Sequence, residues 1–88
     1  MEQTVLIQNK SGLHARPASL FVQAAGKFKS QVRLTARGKT IDAKSILLIM
    51  SLGLGKGTEI TISAEGEDEV LAVETLAGLV ESKFGEAD

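Results

Sequence analysis

Gln31-Val32-Arg33-Leu34-Thr35-Ala36-Arg37-Gly38-Lys39-Thr40-Ile41-Asp42 decides the fold of this chain. From Gln31 to Ala36 the residues alternate: Val32, Leu34 and Ala36 fall on one face, Gln31, Arg33 and Thr35 on the other. Alternation with period two marks a strand buried on one side only. Arg37-Gly38 then offers a two-residue hairpin turn into a second strand, Lys39 to Asp42. A one-sided hairpin needs further strands beside it and a cover over its apolar face.

The flanking sequence supplies both. Thr4 to Gln8 is rich in β-formers, with Val5 and Ile7 on one face, and Glu59 to Ala64 alternates again through Ile60, Ile62 and Ala64. Between the first strand and the hairpin, Leu20, Phe21, Ala24, Ala25 and Phe28 recur at helical spacing, with Gly26 weakening the last turn. Ile46 to Met50 is a short apolar run whose period is ambiguous; Ser45 as N-cap and Gly53 beyond the C-terminus favour a short helix. Gly53 to Gly57 reads as a loop. The last helix opens on Glu67, Asp68 and Glu69, acids that suit its dipole, and carries Val70, Val73, Leu76, Ala77, Val80 and Phe84, with Lys83 and Gly85 at its end. The order is βαββαβα. It predicts an α+β fold: a two-layer open-faced sandwich, a four-stranded antiparallel sheet covered on one face by three helices.

Composition narrows the function. Residues 1–88 have room for one small domain. Ten basic against eleven acidic residues, and only Phe21, Phe28 and Phe84 as aromatics, give no basis for nucleic-acid binding. There is no cysteine and a single histidine, so neither a disulfide nor a zinc site is expected, and no cofactor is implied. Met1 to Gln8 lacks the pattern of a secretion signal, and no apolar run is long enough to span a membrane; the expectation is a cytoplasmic protein without membrane insertion. Gly53-Leu54-Gly55-Lys56-Gly57-Thr58 departs from a phosphate loop, because Gly57 separates Lys56 from Thr58. No serine lies in a nucleophile-elbow pattern.

The chemistry concentrates in Gly12-Leu13-His14-Ala15-Arg16-Pro17-Ala18, which holds the only histidine and the only proline. Proline suits the first turn of a helix, so His14 falls just outside a helix N-terminus. That end presents unpaired N–H groups and partial positive charge, a natural anion site. Arg16 is unfavourable there unless an anion is nearby, and Gly12 permits close approach. A nucleophilic imidazole beside donors for phosphoryl oxygens is the chemistry this pattern points to. Ser45 is most simply an N-cap, and a phosphate there would add about −1.5 to −2 charges. Its neighbours Ile46, Leu47 and Met50 cannot all be buried in so short a helix, and an exposed remainder marks a partner surface.

Gly12 to Ala18 resembles the active-site motif of HPr, the histidine-containing phosphocarrier family of the bacterial phosphoenolpyruvate:sugar phosphotransferase system. Lys44-Ser45-Ile46, Met50-Ser51-Leu52-Gly53 and the Lys56-Gly57 loop are similar too, as are length and element order. The resemblance implies a carrier without independent turnover. His14 would accept a phosphoryl group on Nδ1 from phosphorylated enzyme I and pass it to sugar-specific IIA proteins. Ser11, Arg16 and Pro17 would form the phosphate site. Ser45 matches the regulatory serine of Gram-positive-type members, the target of a serine kinase/phosphorylase; the phosphoserine form slows sugar transport and serves a catabolite-control transcription factor as corepressor. Ile46, Leu47 and Met50 would be the docking patch. Many Gram-positive members carry glycine where this chain has Leu48, and bulkier residues there also occur in nitrogen-branch relatives. A nitrogen-branch phosphocarrier and a mainly regulatory corepressor acting through phospho-Ser45 are therefore the alternatives; relatives specialised for the second lack the histidine that this chain keeps.

Overall fold

The computed structural model describes residues 1–86. Its elements run β1 (Glu2–Leu6), α1 (Ala15–Ala25), β2 (Gln31–Ala36), β3 (Lys39–Asp42), α2 (Ile46–Ser51), β4 (Glu59–Glu65) and α3 (Glu69–Glu81), followed by a 3-10 turn at Lys83–Gly85. The four strands form one antiparallel sheet in the order β1-β4-β2-β3. Arg37 and Gly38 both have positive φ (53° and 78°), the turn geometry whose twist matches a tight hairpin.

Alternation sorts the sheet into two faces. Val5, Val32, Leu34, Ala36, Ile60, Ile62 and Ala64 are buried. Against them lie Ala18, Phe21 and Ala25 of α1, and Ala72, Val73, Leu76, Ala77 and Val80 of α3, in a single apolar core. The other face is polar. Thr4, Thr61, Thr35 and Thr40 stand in register across all four strands, with hydroxyl contacts of 2.9 Å between Thr4 and Thr61 and 2.8 Å between Thr35 and Thr40. A sheet with one greasy and one hydroxylated face is stable with helices on one side only.

Three boundaries differ from the sequence expectation. β1 starts two residues earlier and stops at Leu6, because Leu6 pairs with Glu59, the first residue of β4. Ile7 is fully buried all the same, and exchanges backbone bonds with Thr58 (2.9 Å) and Gly57 (2.7 Å) in the preceding loop. Phe28 lies outside α1: Lys27 and Phe28 bond back three residues, to Ala24 and Ala25, tightening the chain out of the helix after Gly26. Phe84 is not part of α3 either. Lys83, Phe84 and Gly85 have φ of 60°, 55° and 75°, so the chain turns sharply and buries the Phe84 ring from a separate turn. Val70, one of the apolar residues of the last helix, is 51% exposed in its first turn.

The acidic start of α3 does more than favour its dipole. Asp68 accepts from the Ser30 hydroxyl and from the backbone N–H groups of Lys29 (2.8 Å) and Ser30 (2.9 Å). These donors, the Ser30 hydroxyl foremost, hold its carboxyl down from 3.8 to about 2. Asp68 thereby ties the loop after α1 to the start of α3.

Candidate functional site

β1 leads into Asn9-Lys10-Ser11-Gly12, a loop built around a buried amide. Asn9 has no exposed surface; its Nδ2 donates to the Gly12 carbonyl at 2.7 Å, while the Gly12 N–H returns to the Asn9 carbonyl at 3.1 Å. Gly12 has φ of +63°, and a Cβ there would lie 2.4 Å from the Leu54 carbonyl oxygen and 2.7 Å from Gly55 Cα. The close approach expected of this glycine is thus made to the backbone of the 53–57 loop. Leu13 N–H donates to the same Leu54 carbonyl at 2.9 Å, and its side chain is buried. Leu13 anchors the motif inward, so the next side chain, that of His14, turns outward.

His14 is the N-cap of α1, with extended backbone (φ −81°, ψ −169°) and an exposed side chain. Its carbonyl accepts the first helical bond, from Ala18 N–H at 2.8 Å. An ordinary N-cap side chain accepts from the second or third helical N–H. Here the third helical residue is Pro17, which has none, and the His14 side chain makes no capping bond. The imidazole is left unused by its own helix, next to the first-turn N–H groups of Ala15 and Arg16. Pro17 itself is buried and fixes the turn.

Ser11 and Arg16 come together around one anion, a carboxylate from the C-terminal segment. Ser11 Oγ lies 2.8 Å and 3.1 Å from the two carboxylate oxygens of Glu86, and Arg16 Nη1 lies 4.0 Å from Oε2. The sequence reading missed Glu86, because nothing local distinguishes it; only the turn at Lys83–Gly85 brings it back to the motif.

Ser45 caps α2 as expected, accepting from Leu48 N–H at 3.3 Å, and is half-buried. Of the apolar run only Ile49 is buried; Ile46, Leu48 and Met50 are 37–42% exposed and Leu47 is 79% exposed. Met50 joins Ser11, Leu13, His14, Gly53, Leu54 and Gly55 in lining a shallow groove of about 370 Å³, so one residue of the α2 apolar run shares a groove with the imidazole. Gly53, with φ of 60°, ends α2 as its spacing suggested. Arg37 does more than form the hairpin turn: its Nη1 donates to the carbonyls of Leu52 (3.2 Å) and Gly53 (3.5 Å). It places a cation at the negative end of α2. Among the described residues no cluster of three metal-ligating side chains occurs, and no helix is long and apolar enough to cross a membrane.

Known proteins resemble this chain in sequence and in fold. The family described as PTS HPr component phosphorylation site matches residues 1–82. The HPr-like protein Crh of Bacillus subtilis is 49% identical over 83 residues, 94% of this chain and 98% of that protein. The phosphocarrier protein HPr of Cupriavidus necator is 40% identical over 88 residues, covering 100% and 99% of the two chains. The crystal structure of HPr-C-His from Thermoanaerobacter tengcongensis superposes with a TM-score of 0.97 at 53% identity, covering 100% of this chain and 99% of that one. HPr proteins interact with components of the phosphotransferase system and carry a phosphoryl group without independent catalysis. With an unused imidazole at a helix start and family-wide similarity along 82 residues, the chain belongs to the HPr family of phosphocarriers.

Proposed function

We propose that this chain, acting as one module over residues 1–88, relays a phosphoryl group from phosphorylated enzyme I to sugar-specific IIA proteins in the cytoplasm. The observation that carries the reading is the exposed, uncapped imidazole of His14 beside Ser11 and Arg16, two side chains already gathered round an anion. In the forward step the Nδ1 lone pair of His14 attacks phosphorus. A new N–P bond forms, and the bond from phosphorus to the donor histidine breaks, its electron pair returning to the donor. The Ala15 and Arg16 N–H groups, the Arg16 guanidinium and the Ser11 hydroxyl receive the phosphoryl oxygens. Hydrogen bonds to a charged group contribute about 1.5–3 kcal/mol each, so these donors steady a phosphoryl group that the N–P bond holds. The onward step repeats the exchange with a nucleophile of IIA.

Incubation with phosphoenolpyruvate and enzyme I tests the acceptor. An acid-labile, base-stable phosphate appears on the wild-type chain and is absent from His14→Ala; equal labelling of both would sink the assignment.

A second role rests on Ser45 and on the 49% identity to Crh. Phosphorylation of Ser45 by an ATP-dependent serine kinase puts about −1.5 to −2 charges at the start of α2. The new dianion stands beside Ile46, Leu47, Leu48 and Met50, the proposed docking row, and repels acidic groups of an approaching partner. The same phosphoserine is the handle for a catabolite-control transcription factor. Acid-stable phosphate should appear on Ser45 with ATP and the kinase and be lost in Ser45→Ala; no labelling of the wild type removes this role. Phosphotransfer rates from sugar-branch and nitrogen-branch enzyme I separate the leading reading from a nitrogen-branch carrier, the sugar branch being faster on this account.

A further inference from the structure

We infer that Asn9 is a positioning residue for phosphoryl transfer: its buried amide donates into Ser11 Oγ and so turns the serine hydroxyl hydrogen outward, toward a phosphoryl group on His14. This role rests on His14 as the phosphoryl acceptor and adds a side chain that never touches the phosphoryl group itself.

The amide can point only one way. A primary amide has two N–H donors on its nitrogen and an oxygen that only accepts. Asn9 has no exposed surface, so its polar atoms must find partners inside the protein. One N–H of Nδ2 goes to the Gly12 carbonyl at 2.7 Å. The other faces Ser11 Oγ at 3.3 Å and, farther off, Glu86 Oε1 at 3.5 Å. Among the described residues nothing donates to Asn9 Oδ1. A buried acceptor without a donor is costly, so the fold gives up one hydrogen bond to keep both N–H groups where they are. Turning the amide over would set Oδ1 against the Gly12 carbonyl oxygen, two acceptors with no hydrogen between them.

That orientation fixes the polarity of Ser11. A hydroxyl has a single hydrogen and lone pairs that accept. With an Asn9 N–H directed at Oγ from within, the inner side of the serine oxygen accepts and its hydrogen must lie on the outer side. The contacts agree: the Glu86 carboxylate, 2.8 Å and 3.1 Å from Oγ, can only accept, so the Ser11 hydroxyl donates outward. Ser11 and His14 line the same groove, and Arg16 Nη1 approaches the same carboxylate at 4.0 Å. The loop cannot readily turn to undo this. Gly12 N–H returns to the Asn9 carbonyl at 3.1 Å, and Gly12 lies too close to the Leu54 carbonyl to shift inward. A donor aimed before the anion arrives costs no reorganisation when it does, whereas a hydroxyl turned inward would present lone pairs to the phosphoryl oxygens.

Phosphoramidate, a small phosphoryl donor that needs no enzyme I, reads this role. His14 Nδ1 attacks its phosphorus, a new N–P bond forms, and the old one breaks with its electron pair going to departing ammonia. The rate of labelling is measured in wild type, Ser11→Ala, Asn9→Leu and Asn9→Leu/Ser11→Ala, with Asn9→Ala as a second background. Leucine fills the buried site without supplying a donor, and thermal melts establish which variants are folded at the assay temperature. Ser11→Ala should slow labelling about fivefold when Asn9 is present, the effect of one hydrogen bond to an anion. With Asn9 replaced, the same change should matter by less than about twofold, because the hydroxyl is no longer aimed. If Asn9 only supported the loop, the two losses would multiply. Multiplying losses overturn the inference, as does the lack of a Ser11 effect when Asn9 is present, or of any labelling of His14. Failure of enzyme I to charge a chain that phosphoramidate labels in the expected pattern sinks the relay and leaves the role of Asn9 standing.

Discussion

Asn9 and Gly12 close the loop before His14 from both sides: Asn9 Nδ2 donates to the Gly12 carbonyl at 2.7 Å, and Gly12 N–H donates to the Asn9 carbonyl at 3.1 Å. The amide is wholly buried, so the contact is shielded from competing water. Asn9→Ala leaves the Gly12 carbonyl without that donor. The expected loss is about 1–3 kcal/mol of stability, measured by urea unfolding. Labelling of His14 should slow as well, because the loop sets where the imidazole stands.

Gly12→Ala is predicted to be worse. Alanine must adopt φ of +63° and place its Cβ 2.4 Å from the Leu54 carbonyl oxygen. The strain and the clash together should cost roughly 2–4 kcal/mol, and equilibrium unfolding measures it. The neighbouring loop glycines Gly53 and Gly57 have nothing near a Cβ, so alanine there meets only the φ penalty.

Within α2, burial separates packing from docking. Ile49→Ala empties a fully buried site and should cost about 2–5 kcal/mol. Leu47→Ala, at 79% exposure, should move stability by less than about 0.5 kcal/mol while raising the KM for transfer from enzyme I. Thermal melts paired with transfer kinetics check both; a large stability loss in Leu47→Ala would contradict the assignment of this face.

Acid sensitivity should trace to Asp68. Its carboxyl is held at about 2 against an ordinary 3.8, chiefly by the Ser30 hydroxyl and the Lys29 N–H. A folded-state value below the unfolded one adds stability that is complete above about pH 4 and disappears as pH falls through about 2. Asp68→Asn removes that dependence. Stability measured from pH 5 to pH 2 should therefore fall less steeply in Asp68→Asn than in wild type, and parallel curves would count against the tie.

Residues whose partners lie nearby were legible in the sequence. The Gln31–Asp42 hairpin follows from alternation and a turn of two positive-φ residues, and α2 follows from Ser45 and Gly53 at its ends. Pro17 and the helical spacing that follows it place His14 at a helix start. What escaped depends on distant partners: the end of β1 is set by where β4 begins, and Asp68 is recruited by Ser30 across 38 positions. Arg37 reaches Leu52, and Glu86 reaches Ser11 across 75 positions, with no periodic pattern to announce either. Gly12 stands out in the sequence as a place of close approach, and its tight neighbour is the Leu54–Gly55 backbone, which no local pattern announces.

The central claim is that His14 is a stop in a relay, and onward transfer tests it most directly. The chain is charged with radiolabelled phosphoryl from phosphoenolpyruvate and enzyme I, purified, and mixed with an unlabelled sugar-specific IIA protein. The account predicts that label leaves this chain and appears on IIA in matching amount, with little inorganic phosphate released. Label lost to inorganic phosphate while IIA remains unlabelled would contradict it.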